Sequence, residues 1–112
     1  MPRYTVDEVI KRGKFILARH PTYSQDARGT NMFASQYDCS SFMGVINGVG
    51  EGGQPPATPG MVAAYTAAGY IHYIYGLVTL KKGDVLVWNK PGTQGWGDDG
   101  HTAMYIGNNQ LI

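Results

Sequence analysis

Cysteine is nearly absent: Cys39 stands alone among 112 residues. It has no partner for an internal disulfide, and one thiolate does not make a zinc site. Charge is scarce too, at 15% of residues with a formal net charge of +1 and no run of Lys or Arg. That balance lacks the basic footprint by which proteins hold nucleic acid, so no nucleic-acid partner is expected. Long apolar runs are missing, and none approaches the roughly 18–20 residues that span a bilayer, so no membrane insertion is expected. Near the N-terminus Arg3 is followed by Asp7 and Glu8 instead of a continuous apolar segment, and no secretory signal is read there. The Gly- and Pro-rich stretch from Gly48 to Gly60 lacks the GxxxxGK[ST] pattern of a phosphate cradle, which excludes that mode of nucleotide binding. Internal repeats are also missing, and residues 1–112 read as one domain with one core.

What is present is a globular composition, 43% hydrophobic, with 16 glycines and eight tyrosines that suggest a loop-rich fold with aromatic surface. Thr5 and Glu8 form a capping box, with Tyr4 and Val9 as a hydrophobic staple around it. Val6, Val9, Ile10, Gly13, Ile16 and Leu17 recur on one helical face, and Pro21 stops the helix near Arg19 or His20. Thr22 to Tyr37 is polar and turn-rich and reads as a long loop. A second helix begins at Cys39, capped by Asp38, with Phe42, Val45, Ile46 and Val49 at helical spacing and Gly48 and Gly50 ending it. Thr58-Pro59 opens a short third helix that closes at Gly69. Three strands are then expected: Tyr70 to Tyr75, Val85 to Trp88 after the turn at Lys82-Gly83-Asp84, and Thr102 to Ile106. The turn Gly107-Asn108-Asn109 leads into Gln110-Leu111-Ile112. Helices first and antiparallel strands afterwards is an α+β order.

The lone cysteine has two readings, a buried small hydrophobe or a nucleophile. Its setting bears on the choice. A cysteine in the first turn of a helix faces unpaired backbone N–H groups and the positive end of the helix dipole, both of which favour thiolate. His101, at the start of a strand behind a flexible Gly100, can stand at a sheet edge facing that helix end. Only tertiary folding can join two residues so far apart in the chain.

Three segments, Asp38-Cys39-Ser40-Ser41-Phe42, Gly83-Asp84-Val85 and Gly100 to Gly107, resemble in order and spacing the motifs of the NlpC-type cell-wall peptidases. These are small papain-like cysteine enzymes that cleave the stem peptides of peptidoglycan. The resemblance implies a papain-like α+β fold, with N-terminal helices packed on a C-terminal antiparallel sheet. It implies Cys39 as nucleophile and His101 as base, no cofactor and no metal, and bacterial peptidoglycan as partner. It further implies a thiol endopeptidase acting at the cell wall near the D-glutamyl residue. The small size, the unread signal and the lack of a recognisable wall-binding module fit a phage lysin catalytic domain or a fragment of a larger hydrolase, phage-encoded or exported by other means.

Asp38, Ser40 and Ser41 are candidate substrate-binding residues beside the cysteine, the two serines reading equally well as first-turn polar groups. Tyr23 is the candidate for the tyrosine that in the family lines the site upstream. Trp96, in the loop before the histidine, is a candidate for stacking on sugar or peptide, or a plain loop anchor. His20 and His72 read as surface or packing residues. Asp98 and Asp99 beside His101 do not complete a metal site. The family's third polar residue lies about a dozen positions beyond the histidine, just past Ile112. The last strands are therefore expected to be truncated, with an exposed strand edge available for self-association. Two rival functions share parts of this pattern. One is a CHAP-like N-acetylmuramoyl-L-alanine amidase and the other a non-catalytic wall-binding module; an acyltransferase or lipase of the same superfamily is less favoured, since no membrane-seeking apolar segment is present.

Overall fold

The computed structural model describes residues 2–72 and 79–112. Helix α1 spans Val6–Ala18 and opens as its sequence requires: Thr5 Oγ1 accepts from the Glu8 amide at 3.2 Å, and Glu8 Oε1 accepts from the Thr5 amide at 2.9 Å. Val9, Ile10, Gly13 and Ile16 form its buried face. Leu17, expected on that face, is 48% exposed and lines a surface cavity instead, because it lies at the helix end that borders that opening.

The segment expected as a loop carries two short strands, β1 (Thr22–Tyr23) and β2 (Gln36–Tyr37), which pair in parallel. Two residues per strand are too few to show an alternating pattern, so pairing between distant residues, not local periodicity, makes this ladder. The Arg19 guanidinium donates to the Met32 and Phe33 carbonyls at 2.6 and 3.0 Å, tying the intervening loop to the end of α1.

Helix α2, Cys39–Asn47, starts at an N-cap Asp38 with a full capping box and ends at Gly48, whose φ of 72° is the left-handed conformation that glycine adopts without cost. The expected single apolar stripe is too narrow a description. Residues Ser40, Ser41, Met43, Gly44, Val45, Ile46 and Asn47 are all buried, since α2 packs against both α1 and the sheet, and a helix covered on several sides loses its polar face. Arg12 from α1 closes its C-terminal end, donating to the Val45 and Ile46 carbonyls at 2.6 and 3.1 Å while pairing with Glu51 at 2.6 Å.

A 3-10 turn at Thr58–Gly60 with Pro59 leads into α3, Met61–Ala67, as the Thr-Pro signal suggests. Met61 and Tyr65 are its buried anchors. Tyr70 stacks edge-on against Tyr65 and donates its hydroxyl to Asn47 Oδ1 at 2.5 Å. That packing replaces the start of the expected strand: Tyr70 to His72 join no ladder, and the remainder, to Tyr75, lies outside the described residues.

The C-terminal half holds an antiparallel sheet in the order β3-β4-β5, made of Val85–Asn89, Gly100–Gly107 and Gln110–Leu111. β4 is central, and Thr102, Ala103 and Met104 are buried in succession. Asn108 and Asn109, with φ of 52° and 60°, form the tight turn that returns the chain into β5. The ladder continues through reciprocal backbone bonds between Ile112 and Met104 at 2.9 and 3.2 Å. The α+β class is therefore as expected, with N-terminal helices on a three-stranded C-terminal sheet. No helix among the described residues is long and apolar enough to cross a membrane.

Candidate active site

Cys39 is the first residue of α2, where the helix leaves its opening N–H groups without intrahelical acceptors. Its side chain is partly exposed, not sealed in the core. Asp38 fixes that helix start: Oδ1 accepts from the Ser41 amide at 2.8 Å, and Ser41 Oγ accepts from the Asp38 amide at 2.9 Å. His101 is the second residue of β4, directly opposite Trp88 of β3 in the ladder. The two rings meet edge to face, with centroids 5.0 Å apart. Because α2 packs on β4, the sulfur and the imidazole line the same cavity, of about 530 Å³.

The walls of that cavity are mostly apolar. Leu17 comes from α1, Phe42 and Met43 from α2, Ala103 from β4, and Leu111 and Ile112 close the far end. Tyr23 and Trp88 are also in the lining and are 63% and 46% exposed. Among the described residues no Lys or Arg lines it; the titratable side chains on the walls besides Cys39 and His101 are Asp38, Tyr23 and Tyr37. Burial holds the Tyr37 hydroxyl above its ordinary value of 10.0, against the opposing pull of Arg19, and its proton is given to the Asn31 carbonyl at 2.5 Å.

Of the residues singled out in the sequence, the fold brings Cys39, His101, Tyr23 and Asp38 to this cavity. Ser40 and Ser41 are 2% and 0% exposed and lie in the hydrogen-bonded start of α2, not on the cavity wall. Trp96 is 60% exposed and donates its indole N–H to Gln94 at 3.3 Å, away from the lining. Gly100 departs from its expected role. Its φ of −129° is ordinary extended backbone, and a Cβ there would run into the carbonyl of Gly95 and come within 2.9 Å of Thr58. Lack of room, not flexibility, requires glycine before the histidine. Asp84, the middle marker, closes its own turn by accepting from the Lys81 amide at 2.7 Å.

Two residues of this site went unread in the sequence. Trp88 carried a signal, since it closes the apolar run from Val85 that pairs with the histidine strand. Arg28 carried none: it lies in irregular chain, and its guanidinium reaches the Asp38 carboxylate at 2.9 Å from ten positions away, past β2.

A family model named Amidase_5 and described as bacteriophage peptidoglycan hydrolase matches residues 11–112. The chain belongs to this family. No curated protein matches it. For a phage peptidoglycan hydrolase the substrate is the bacterial cell wall, a polymer of sugars crosslinked by short peptides. The cavity lined by Cys39 and His101 is a feature of this hydrolase among the described residues.

Proposed function

We propose that this hydrolase is a papain-like thiol enzyme that cleaves amide bonds of peptidoglycan, with Cys39 as nucleophile and His101 as general base and acid. The observation that carries the reading is the common cavity into which the start of α2 and the start of β4 present these two side chains. The sulfur, as thiolate, attacks the amide carbonyl. The tetrahedral oxyanion is held by the backbone N–H of Cys39 and a neighbouring donor, the Ser41 amide being already engaged by Asp38. Collapse breaks the C–N bond and leaves a thioester, while the imidazolium gives its proton to the departing amine. Water, deprotonated by the same imidazole, then attacks the thioester and releases the acid and the thiol. Trp88 holds the ring on one side, and the apolar walls favour a weakly charged part of the substrate.

The bond we favour lies within the stem peptide, near the D-glutamyl residue, as the resemblance to the NlpC-type peptidases implies. The amidase alternative, cutting between the sugar lactyl group and L-alanine, has one observation in its favour, the name of the matching family. Mass spectrometry of released muropeptides separates the two. New amino termini inside the stem peptide support the endopeptidase, whereas freed L-alanine termini support the amidase. Under either, Cys39→Ala abolishes wall lysis and leaves the thermal midpoint nearly unchanged, because the sulfur is partly exposed. Lysis undiminished in Cys39→Ala would reject the thiol mechanism. An unmutated chain that binds walls without releasing fragments would leave the non-catalytic binding module.

A further inference from the structure

We infer that Arg28 is a positioning residue for the nucleophile proposed above, acting through Asp38 so that the carboxylate can cap α2 without repelling the neighbouring thiolate. The proposal rests on that reading of Cys39. Arg28 Nε donates to Asp38 Oδ2 at 2.9 Å, and Nη2 donates to Ser40 Oγ at 2.8 Å and to the Pro56 carbonyl at 3.3 Å. Nη1 donates to the Pro55 carbonyl at 2.8 Å. One guanidinium thus joins the residues on both sides of Cys39 to the loop at Pro55 and Pro56, a geometry its planar fork suits and a Lys ammonium does not.

The electrostatic need for this clamp follows from the chain order. Asp38 directly precedes Cys39, lines the same cavity, and is mostly shielded from water, its side chain being 12% exposed. An uncompensated carboxylate there opposes formation of a second negative charge on the sulfur, and screening is weak at such burial. Arg28 supplies the compensating charge from outside the cavity wall, itself 25% exposed, so its effect on chemistry must pass through Asp38 and Ser40. Among the described residues that line the cavity, His101 is the side chain that can bring a positive charge to the sulfur.

Alkylation by iodoacetamide tests this directly, because Cys39 is the chain's sole thiol and the signal has one source. The whole chain is compared with Arg28→Ala, Arg28→Lys, Asp38→Asn and the Arg28→Ala/Asp38→Asn double variant, measuring alkylation rate at neutral pH, kcat and KM for wall hydrolysis, and thermal midpoint. Arg28→Ala should slow alkylation and kcat by about tenfold or more with KM little changed. Adding Asp38→Asn should return alkylation to within about threefold of wild type, since Asn caps a helix nearly as well as Asp but carries no charge. Arg28→Lys should fall between, keeping the charge and losing the fork. A merely structural role makes the double variant worse than either single one, and that result, or wild-type alkylation in Arg28→Ala, overturns the proposal. If Arg28→Ala does not fold, alkylation in Arg28→Lys decides: a rate equal to wild type rejects the clamp. Hydrolysis that survives Cys39→Ala removes the nucleophile and this proposal with it. An inactive Cys39→Ala beside Arg28 variants with wild-type alkylation removes the Arg28 proposal alone.

Discussion

The helical side of the cavity holds Cys39 in a polar network in which Asp38, Ser41 and Arg28 exchange hydrogen bonds of 2.8 to 2.9 Å around a buried helix. The sheet side holds His101 by packing, with the ring of Trp88 against one side and a crowded glycine behind it. The first arrangement fixes the helix start beside Cys39 and puts charged groups next to it; the second leaves the imidazole exposed against one aromatic neighbour. A nucleophile must stay where the carbonyl arrives, whereas a base must serve two proton transfers, one to the leaving amine and one from water. The difference between the two sides suits that division of labour. It also implies that stability and activity should separate when each side is damaged.

The helical side should show the largest loss of stability. Ile46 is fully buried near the C-terminal end of α2, and Ile46→Ala removes apolar contact and leaves a cavity worth about 3 kcal/mol, read as a lowered urea midpoint with unchanged slope. Activity per folded molecule should hardly change, since Ile46 is not on the cavity wall. A large fall in kcat for folded Ile46→Ala would mean that the core of α2 and the cysteine are coupled more tightly than the capping network suggests.

On the sheet side Gly100→Ala should cost about 1–3 kcal/mol, by overpacking against the Gly95 carbonyl and Thr58. Here activity should fall with stability, by about tenfold or more, because the displaced backbone carries His101 with it. Normal kcat in Gly100→Ala would show that the strand absorbs the clash without moving the imidazole.

Alkali offers a third way to separate the regions. Burial raises the Tyr70 hydroxyl from an ordinary 10.0 to about 12, and Tyr65 beside it is raised as well, by burial and then by Tyr70. The unfolded chain releases these protons near their ordinary value while the folded chain retains them. Their contribution to stability is therefore complete below about pH 10 and is lost as pH rises toward about 12. Urea midpoints should fall across that window and fall less steeply in Tyr70→Phe. Since both rings pack beside α2 and α3, away from the cavity, iodoacetamide labelling should show no step that tracks this transition until the chain unfolds.

How much of this was legible depends on the range of the interaction. The boxes at Thr5 with Glu8 and at Asp38, the stop at Gly48 and the Asn108-Asn109 turn are local, since each is decided within about four residues by backbone groups that need partners. The settings of Cys39 at a helix start and His101 at a strand start were legible, and the chemistry proposed for them rests on the cavity that both residues line. The β1–β2 pairing, the full burial of α2 and the reach of Arg28 to Asp38 were not. They depend on which surfaces meet after folding, and a two-residue strand or an Arg in irregular chain has no periodicity to announce it. Ser40 and Ser41 illustrate the same limit. Their place in the first turn was evident, but burial against Arg28 and Asp38, not exposure to a cavity, is a product of the loop that folds over them.

The smallest change in stability and the sharpest test of the comparison should come from Trp88. The side chain is 46% exposed, and its cross-strand contact with His101 is of a kind that contributes about 0.2–1 kcal/mol, so Trp88→Leu should lower stability by less than about 1 kcal/mol. If the ring positions the base, kcat should nevertheless fall by about tenfold, and Trp88→Phe, which keeps an aromatic edge for the imidazole, should recover most of it. Alkylation of Cys39 distinguishes this from damage to the helical side: it should stay within about twofold of wild type in Trp88→Leu, since the capping network is untouched. A Trp88→Leu enzyme with normal kcat would mean that His101 is oriented by something other than packing, and the contrast between a nucleophile on a hydrogen-bonded helix start and a packed base would no longer hold.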